Sequence, residues 1–296
     1  MAVPESQLQT WSKQGSVTQS AATYASVRRT LESPSAPYAQ ESCSIFLQGS
    51  YGNDTNVYRD SDVDVVIRID SVYFDDVDSL NEVEKGLYRS QFTLATYQLA
   101  DFKRDVTSQL TGAFGAAVKP GSKAIFIEAS GARRETDVLP CAQFRRYRRF
   151  QNWSDQSYEE GICFYRADGT RIINYPKQHS ENCTQKHQGT NQWFKPTVRM
   201  LKNMRNAMLE GGVLGEGVAP SYFIEGMLYN VPADQFGGSF TTTFLNSMVW
   251  LTETDSSKLV CANEQYYLLN DVSPVTWRTA DFLAFVNAIL KFWKAY

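Results

Sequence analysis

The sequence predicts an α+β fold with a mixed sheet in its first part and helices in its second part. Short apolar runs suited to strands recur between about residues 43 and 173. An Asp-Gly pair at 168–169 separates two of these runs, as in a β-hairpin. From residue 191 onward, apolar residues recur at three- and four-residue steps, which is typical of helices. We therefore expect two lobes, residues 1–175 and 176–296, with a central cleft between them.

The elements of the first lobe follow from the spacing of its apolar residues. A helix is predicted over about 18–31, because apolar residues recur there at helical steps behind Ser and Thr residues. A long second helix is predicted over 80–111. The hairpin around the Asp-Gly pair joins 161–166 to 171–173. The other strands are predicted over these ranges: 43–48, 62–69, 123–129, 134–139 and 144–150.

The second lobe is predicted to begin with a loop and to continue as helices. The loop is expected around His179, because the Asn-Tyr-Pro segment at 174–176 disfavours a helix. A helix is then predicted from residue 191. A glycine-rich break over 211–217 separates it from another helix that begins at Ser221.

The most informative motif joins a Gly-Ser pair to two aspartates. An apolar run leads into Gly49 and Ser50, and a predicted strand with Asp62 and Asp64 follows. Side chains two residues apart on a strand point to the same face, so we expect the two carboxylates to lie side by side. Adjacent carboxylates repel each other unless a cation lies between them, and oxygen ligands suit Mg²⁺ or Mn²⁺. Because Gly49 and Ser50 offer backbone N–H groups and a hydroxyl to a phosphate, the motif predicts metal-dependent nucleotide chemistry.

A third carboxylate, Asp137, lies on the predicted strand at 134–139. If that strand lies beside the one with Asp62 and Asp64, the three carboxylates converge. Such a set holds two metal ions and leaves one carboxylate close to an attacking hydroxyl, as two-metal phosphoryl transfer requires. An isolated Asp-x-Asp pair is more often an ordinary charged strand edge. The Gly-Ser pair and the later Asp137 favour catalysis instead.

A different kind of metal site is suggested by His179, Cys183 and His187. A spacing of four residues would align them on one helical face. Cys163 would offer the fourth ligand that structural zinc sites have. The loop expected around His179 would separate these side chains, so we do not expect zinc here.

The order Gly-Ser, Asp-x-Asp and a later Asp resembles the nucleotidyltransferase superfamily that includes DNA polymerase beta, poly(A) polymerase, oligoadenylate synthetase and cyclic GMP–AMP synthase. Motifs at 172–179, 195–203 and 220–225 resemble the bacterial cGAS/DncV-like nucleotidyltransferases, the cyclic-oligonucleotide synthases of antiphage CBASS systems. The resemblance covers nearly the whole chain. It implies a polymerase-beta-like catalytic core with an N-terminal helix over 1–175, and a helical C-terminal lobe over 176–296 that completes the nucleotide cleft.

The resemblance also implies nucleotide-binding roles for residues of the second lobe. In enzymes of this family a lysine at the place of Lys202 contacts the nucleoside triphosphate. A Ser-Tyr pair similar to Ser221 and Tyr222 contacts a phosphate and stacks on a base. The chemistry agrees, since an ammonium neutralises phosphate charge and an aromatic ring stacks on any base. The alternatives are that Lys202 is a solvated helix residue and that Tyr222 is a core aromatic.

Composition and charge argue against several classes of protein. A net charge of −3 gives no global attraction to polyanions, so we expect no long nucleic acid as a partner. The apolar runs are too short to span a membrane and the N-terminus lacks signal-peptide features, so we expect a cytoplasmic protein that does not bind membranes. Five cysteines without a Cys-x-x-Cys pattern suit free thiols. The basic run at 145–149 is expected to form a solvated strand edge.

Together these features predict a template-independent nucleotidyltransferase of the EC 2.7.7 type. It would use two Mg²⁺ or Mn²⁺ ions to convert nucleoside triphosphates, with ATP and GTP expected, into a cyclic di- or trinucleotide second messenger. That product would act on a separate downstream effector in antiviral defence. The alternatives are an enzyme that extends RNA or modifies a small molecule, and a catalytically inactive nucleotide sensor.

Overall fold

The computed structural model describes residues 2–15, 17–58 and 62–296. The chain divides into two compact units. The first, here called the sheet unit, comprises Thr18–Leu47 and Asp62–Tyr175. The second, called the helical unit, comprises Met1–Val17, Gln48–Ser61 and Pro176–Tyr296. These units interleave along the chain, whereas the sequence predicted two contiguous lobes, and that division into lobes stays a prediction.

The strands and helices are numbered in chain order. Strands β1 to β7 cover Cys43–Gln48, Val63–Asp76, Val118–Pro120, Ile125–Ile127, Thr136–Asn152, Asp155–Tyr165 and Arg171–Asn174. Helices α1 to α10 cover Glu5–Trp11, Thr18–Leu31, Gly49–Gly52, Glu82–Gln91, Leu99–Phe114, Pro176–Gly189, Phe194–Glu210, Ser221–Asn230, Phe240–Glu253 and Thr279–Ala295. No helix of the described residues is long and apolar enough to cross a membrane.

The sheet unit contains a mixed sheet, as predicted. Its strand order is β1-β2-β5-β4-β3, with β6 pairing with β5 and β7 pairing with β6. β2 and β5 are parallel, whereas β4, β5, β6 and β7 pair in antiparallel fashion. Alternate side chains of β2 enter the core: Val63, Val65, Ile67 and Ile69. Buried residues of α2 and α5 pack in the same core: Val27, Leu31, Phe102, Val106 and Leu110.

Most elements of the sheet unit were predicted at the right place. The helix over 18–31 and the hairpin around Asp168 and Gly169 are confirmed. The strands at 134–139 and 144–150 are parts of the single strand β5, and the short strand β3 was not predicted from the sequence.

The prediction of one long helix over 80–111 is wrong. Two helices, α4 and α5, lie on either side of residues 92–98. The second helix has its own start, because Gln98 and Asp101 form a capping box at its N-terminus. Phe92 and Leu94 are exposed. The apolar residues of this region therefore do not form one continuous buried stripe.

The prediction of a solvated strand edge at 145–149 is wrong for the first two residues of that run. At Arg145 and Arg146, β5 lies between β2 and β6 and pairs with both, whereas residues 147–149 pair with β6 alone. The Arg145 guanidinium lies 4.1 Å from the centre of the Tyr73 ring. Arg146 lies opposite Asp76, with 3.3 Å between the guanidinium nitrogen and the carboxylate oxygen. Arg145 and Arg146 are thus partnered within the sheet, whereas Arg148 and Arg149 are exposed.

The helical unit has a core built around α7. Buried residues of this helix include Val198, Leu201, Met204 and Met208. All five cysteines of the chain are free, as predicted. The loop expected around His179 is wrong, because α6 begins at Pro176 and includes His179. Proline is tolerated in the first turn of a helix, where its missing N–H would have no intrahelical partner.

Candidate active site

Two of the predicted aspartates lie directly opposite each other in the sheet unit. β2 runs parallel to β5, and Asp64 is paired with Asp137. Val63 and Val65 are buried, so strand alternation turns Asp64 to the opposite face, where it is half-buried. Asp62 is exposed and lies one residue before β2. The start of this parallel pair thus carries the carboxylates that the sequence singled out.

The donor atoms of these aspartates suit hard divalent cations. Every ligand atom they offer is a carboxylate oxygen, which Mg²⁺ and Mn²⁺ prefer to nitrogen or sulfur. Side chains of directly paired residues on neighbouring strands lie close enough to share an ion. The residues present therefore fit the predicted Mg²⁺ or Mn²⁺.

Asp137 differs from an ordinary surface carboxylate in its proton affinity. Burial, together with the charge of Glu135, raises the pKa of Asp137. A raised pKa makes the ionised carboxylate a stronger base, which suits a group that takes a proton from a hydroxyl. Glu135 was not among the site residues predicted from the sequence, although its two-residue spacing from Asp137 repeats the spacing of Asp62 and Asp64.

Gly49 and Ser50 lie in the helical unit, within the single helical turn α3. Gly49 has a φ of 65°, a left-handed conformation that glycine adopts without strain. The carbonyl oxygen of Ser50 accepts a hydrogen bond from the Thr55 amide at 2.9 Å. The predicted Gly-Ser turn is thus one turn of helix, and Thr55 closes it.

Glu225, a buried carboxylate that was not predicted as a site residue, holds the segment after Ser50. Asn53 donates to one oxygen of Glu225 at 2.9 Å, and the Thr55 hydroxyl donates to the other. His179 Nε2 lies 2.6 Å from the oxygen that Asn53 contacts. The one signal in the sequence is an acidic residue inside the apolar run at 222–228.

The charge state of Glu225 follows from these contacts. Burial alone would raise its pKa, but the hydrogen bond from His179 and the nearby charge of Lys202 lower it below the ordinary value. Glu225 is therefore an ionised carboxylate. Since a carboxylate only accepts hydrogen bonds, the Nε2–H of His179 donates to it.

Cationic side chains of α7 hold the same segment. Lys202 is fully buried, and its Nζ donates to the carbonyl oxygen of Thr55 at 3.0 Å. Lys195 Nζ lies 3.0 Å from the Asp54 carboxylate, and Arg199 donates to the Asp54 carbonyl oxygen at 2.7 Å. Asp54 has a φ of 56°, in the left-handed region that Asp tolerates better than most residues. Lys202 supports this segment, and its contact with a triphosphate stays a prediction.

His179, Cys183 and Glu225 form a compact buried cluster. Their possible ligand atoms lie within 4.8 Å of one another. Two ligands of a tetrahedral zinc ion lie about 3.3 Å apart. The 2.6 Å between His179 Nε2 and the Glu225 oxygen is instead a hydrogen-bond distance. Burial also raises the pKa of the Cys183 thiol well above its usual value, which disfavours the thiolate that zinc needs.

Ser221 and Tyr222 begin helix α8. The Ser221 hydroxyl accepts a hydrogen bond from Arg205 at 3.2 Å. The Tyr222 ring is stacked on His179, with 4.5 Å between the ring centres and 21° between the planes. Its hydroxyl accepts a hydrogen bond from Asn263 at 2.9 Å. Tyr222 is partly exposed and packs against the core of the helical unit, and its contact with a base stays a prediction.

Comparison with known protein families gives a match to the second half of the chain. Residues 181–294 match the cGAS/DncV-like nucleotidyltransferase C-terminal helical domain. A cyclic UMP-AMP synthase of Rhodothermus marinus is 38% identical over 298 residues, which cover 100% of this chain and 99% of that protein. The cyclic nucleotide synthase CdnE01 of Staphylococcus haemolyticus is 34% identical over 303 residues and 100% of both chains.

The backbone of this chain is also similar to solved structures of CdnE enzymes. The Rhodothermus marinus CdnE c-UMP-AMP synthase with Apcpp and Upnpp superposes with a TM-score of 0.89 at 38% identity, covering 99% of this chain and 97% of that one. The Elizabethkingia meningoseptica CdnE cyclic dinucleotide synthase with GTP and Apcpp superposes with a TM-score of 0.77 at 29% identity, covering 98% of each chain. Both similarities therefore extend over the two compact units.

Proposed function

This chain belongs to the cGAS/DncV-like nucleotidyltransferase family, and on that basis we propose that it joins nucleoside triphosphates into a cyclic dinucleotide or trinucleotide. Membership confirms the predicted enzyme class, a nucleotidyltransferase. The polymerase-beta-like fold with a helical C-terminal domain is also confirmed. The observation that carries the proposal is the pairing of Asp64 with Asp137 on neighbouring parallel strands.

The proposed reaction is a nucleophilic displacement at phosphorus. A ribose hydroxyl of one nucleotide attacks the α-phosphorus of another, the bond from that phosphorus to the bridging oxygen breaks, and pyrophosphate leaves. Asp137 lies beside the attacking hydroxyl and accepts its proton. Two Mg²⁺ or Mn²⁺ ions, held by Asp62, Asp64 and Asp137, would neutralise the triphosphate and lower the pKa of the hydroxyl. A second displacement on the linear product closes the ring.

The helical unit is assigned the task of binding the nucleotide. Gly49 and Ser50 donate N–H groups and a hydroxyl to the outer phosphates. Lys202 and Ser221 add a positive charge and a hydroxyl, and the Tyr222 ring stacks on a base. Most of the rate acceleration would come from positioning and from neutralising charge, since no covalent intermediate with the protein is involved.

The bases that this chain selects are a separate part of the proposal. We propose ATP and GTP, because larger rings stack more strongly on an aromatic side chain. Relatives differ in this respect, since one is a cyclic UMP-AMP synthase and another is a cyclic dipurine nucleotide synthase. A pair made of one pyrimidine and one purine is therefore the competing choice.

The product would act in a signalling pathway. We propose that the cyclic nucleotide activates a separate effector protein in antiviral defence, in the cytoplasm, where nucleoside triphosphates are available. This part rests on the family resemblance of the motifs. Its test is whether a phage-infected cell that carries the enzyme accumulates the cyclic product.

The activity itself is tested with purified protein, Mg²⁺ or Mn²⁺, and labelled nucleoside triphosphates supplied singly and in pairs. A cyclic product is expected without template, primer or other acceptor, and linkage-specific nucleases identify its bonds. The control is Asp62→Asn with Asp64→Asn, which should fold and make no product. Open-chain products alone, or activity only with an RNA end or a small-molecule acceptor, would replace the cyclase by one of the alternatives. An inactive wild type that still binds nucleotides would favour the sensor.

A further inference from the structure

One buried carboxylate connects two groups of residues that the proposed function uses. Glu225 is 2% exposed. It accepts hydrogen bonds from three side chains: Asn53, Thr55 and His179. The first two follow the Gly-Ser pair in the chain, and the third lies on α6. Because hydrogen bonds to an ionised group are stronger than neutral ones, this carboxylate restrains all three donors.

Glu225 restrains Ser50, which is proposed to bind phosphate, through Thr55. The Thr55 amide donates to the Ser50 carbonyl oxygen at 2.9 Å, and the Thr55 hydroxyl lies 3.4 Å from the same oxygen. Asp54, in the left-handed conformation, sits between the two residues that Glu225 holds. The position of Ser50 therefore depends on the place that Glu225 gives to Thr55.

Glu225 also restrains Tyr222, which is proposed to stack on a base, through His179. Its ring is stacked on His179 with 4.5 Å between centres. Nδ1 of His179 is buried and has no hydrogen-bond partner among the described residues. The bond from Nε2 to Glu225 is thus the polar contact that sets the orientation of the His179 ring. Because the Tyr222 ring is stacked on the His179 ring, its position depends on that orientation.

We propose that Glu225 is a positioning residue that holds the Gly-Ser pair and the Tyr222 ring in one fixed arrangement, through Thr55 and His179. This inference rests on the proposed function, because neither group has a task unless the chain binds a nucleoside triphosphate. It has a specific consequence. His179 contacts Tyr222, the residue proposed to stack on the base. A change at His179 should nevertheless weaken the binding of a ligand that has phosphates and no base.

The test removes one donor at a time and leaves Glu225 in place. Glu225→Ala is unsuitable, because it leaves several buried donors unpaired and would destabilise the fold. Thr55→Val removes the hydroxyl, and His179→Phe removes the Nε2–H while keeping a ring against Tyr222. The control is Thr243→Val. That threonine is fully buried, and its hydroxyl exchanges hydrogen bonds with the backbone of Gly237 instead of with Glu225.

The probe is inorganic tripolyphosphate with Mg²⁺, measured by calorimetry beside kcat/KM for the cyclic product and the Tm of each variant. We expect Thr55→Val and His179→Phe each to raise the Kd of tripolyphosphate about tenfold, the scale of one hydrogen bond. kcat/KM should fall by about tenfold to a hundredfold, as for a displacement of about 1 Å. The double variant should lose little more than either single variant, because both act through one carboxylate. Thr243→Val should keep the wild-type Kd at a comparable loss of Tm.

Two results would overturn this inference while leaving the proposed function intact. The first is a His179→Phe variant with the wild-type Kd for tripolyphosphate. The second is fully additive losses in the double variant. A wild type that neither binds tripolyphosphate nor makes product refutes the proposed function, and the inference falls with it.

Discussion

Replacing Asp137 with asparagine should stabilise the folded protein and remove its activity. Asp64 lies opposite Asp137 on the parallel pair β2–β5, and burial together with Glu135 raises the pKa of Asp137. A raised pKa means that ionising this carboxyl costs more free energy in the folded chain than in the unfolded chain. Asparagine keeps the shape of the side chain and removes the charge, so the repulsion disappears together with the proton acceptor.

The magnitude of both effects follows from this geometry. Like charges directly opposite on neighbouring strands destabilise a sheet by about 0.2–1 kcal/mol, which the variant should recover at neutral pH. In a chain of this size about 1 kcal/mol changes Tm by about 2–4 °C. The gain should vanish as the pH falls through the raised pKa and below the ordinary value of 3.8, where Asp137 is protonated in both states. Turnover should fall about 10²–10⁴-fold, the usual contribution of a general base.

The assay combines thermal melts at neutral and acid pH with turnover at saturating nucleotide. Asp76→Asn is the matched control, because Asp76 lies on the same strand and faces Arg146 instead of a carboxylate. It should lose a little stability, the opposite sign to Asp137→Asn, and keep full turnover. An Asp137→Asn variant that melts below wild type at neutral pH, or that makes product at the normal rate, would refute the reasoning.

Three further predictions concern single positions. Tyr222→Ala should weaken nucleotide binding by about 1–3 kcal/mol in calorimetry, and Tyr222→Phe should not, because stacking needs the ring and not the hydroxyl. Glu5→Gln should cost about 1 kcal/mol in urea unfolding, because the Glu5 carboxylate accepts the Thr241 amide at the start of α9 at 2.8 Å. Burial would raise the pKa of Glu5, but hydrogen bonds from Thr241 lower it, so this stabilisation should be lost as the pH falls through the lowered pKa. Gly161→Ala should cost about 1–3 kcal/mol in urea unfolding, since its Cβ would lie 2.8 Å from the Asn174 carbonyl oxygen.

Each of these predictions has a result that would contradict it. Equal nucleotide affinity in both Tyr222 variants would remove that ring from the site. Unchanged unfolding of Glu5→Gln would show that solvent replaces the carboxylate at the start of α9. Gly86 is the control for Gly161, because a Cβ there meets no atom within 4 Å. Gly161→Ala should therefore be clearly less stable than Gly86→Ala, and equal stability would contradict the steric argument.

The features that sequence predicted well depend on neighbours in the chain. The helix over 18–31 has helical spacing of apolar residues and a Ser/Thr-rich start, and both signals are local. Asp62 and Asp64 were predicted to lie on the same face because side chains two residues apart on a strand point the same way. Whether Asp137 joins them depends on which strands pair. The motif order suggested that pairing, and the register Asp64 to Asp137 is a finding of the structure.

The failures share one physical cause, which is that local patterns carry no information on burial and partners. The Asn-Tyr-Pro segment at 174–176 predicted a loop, yet proline is compatible with the first turn of α6. The run at 145–149 was interpreted as a solvated edge because its basic residues would alternate between the two faces of a strand. Its first two residues are instead paired with β2, and Asp76, the acidic partner of Arg146, lies far from the run in the chain.

Lys202 shows how this limit affects the assignment of a site. The sequence left two choices for it, a contact with the triphosphate or a solvated helix residue, and the structure adds a third. Its Nζ donates to the carbonyl oxygen of Thr55, a residue 147 positions away in the chain. Lost activity in Lys202→Met would therefore not by itself place the lysine on the triphosphate. Lost activity with an unchanged Tm would support that contact, whereas a lower Tm with weaker tripolyphosphate binding would assign Lys202 to the support of Thr55.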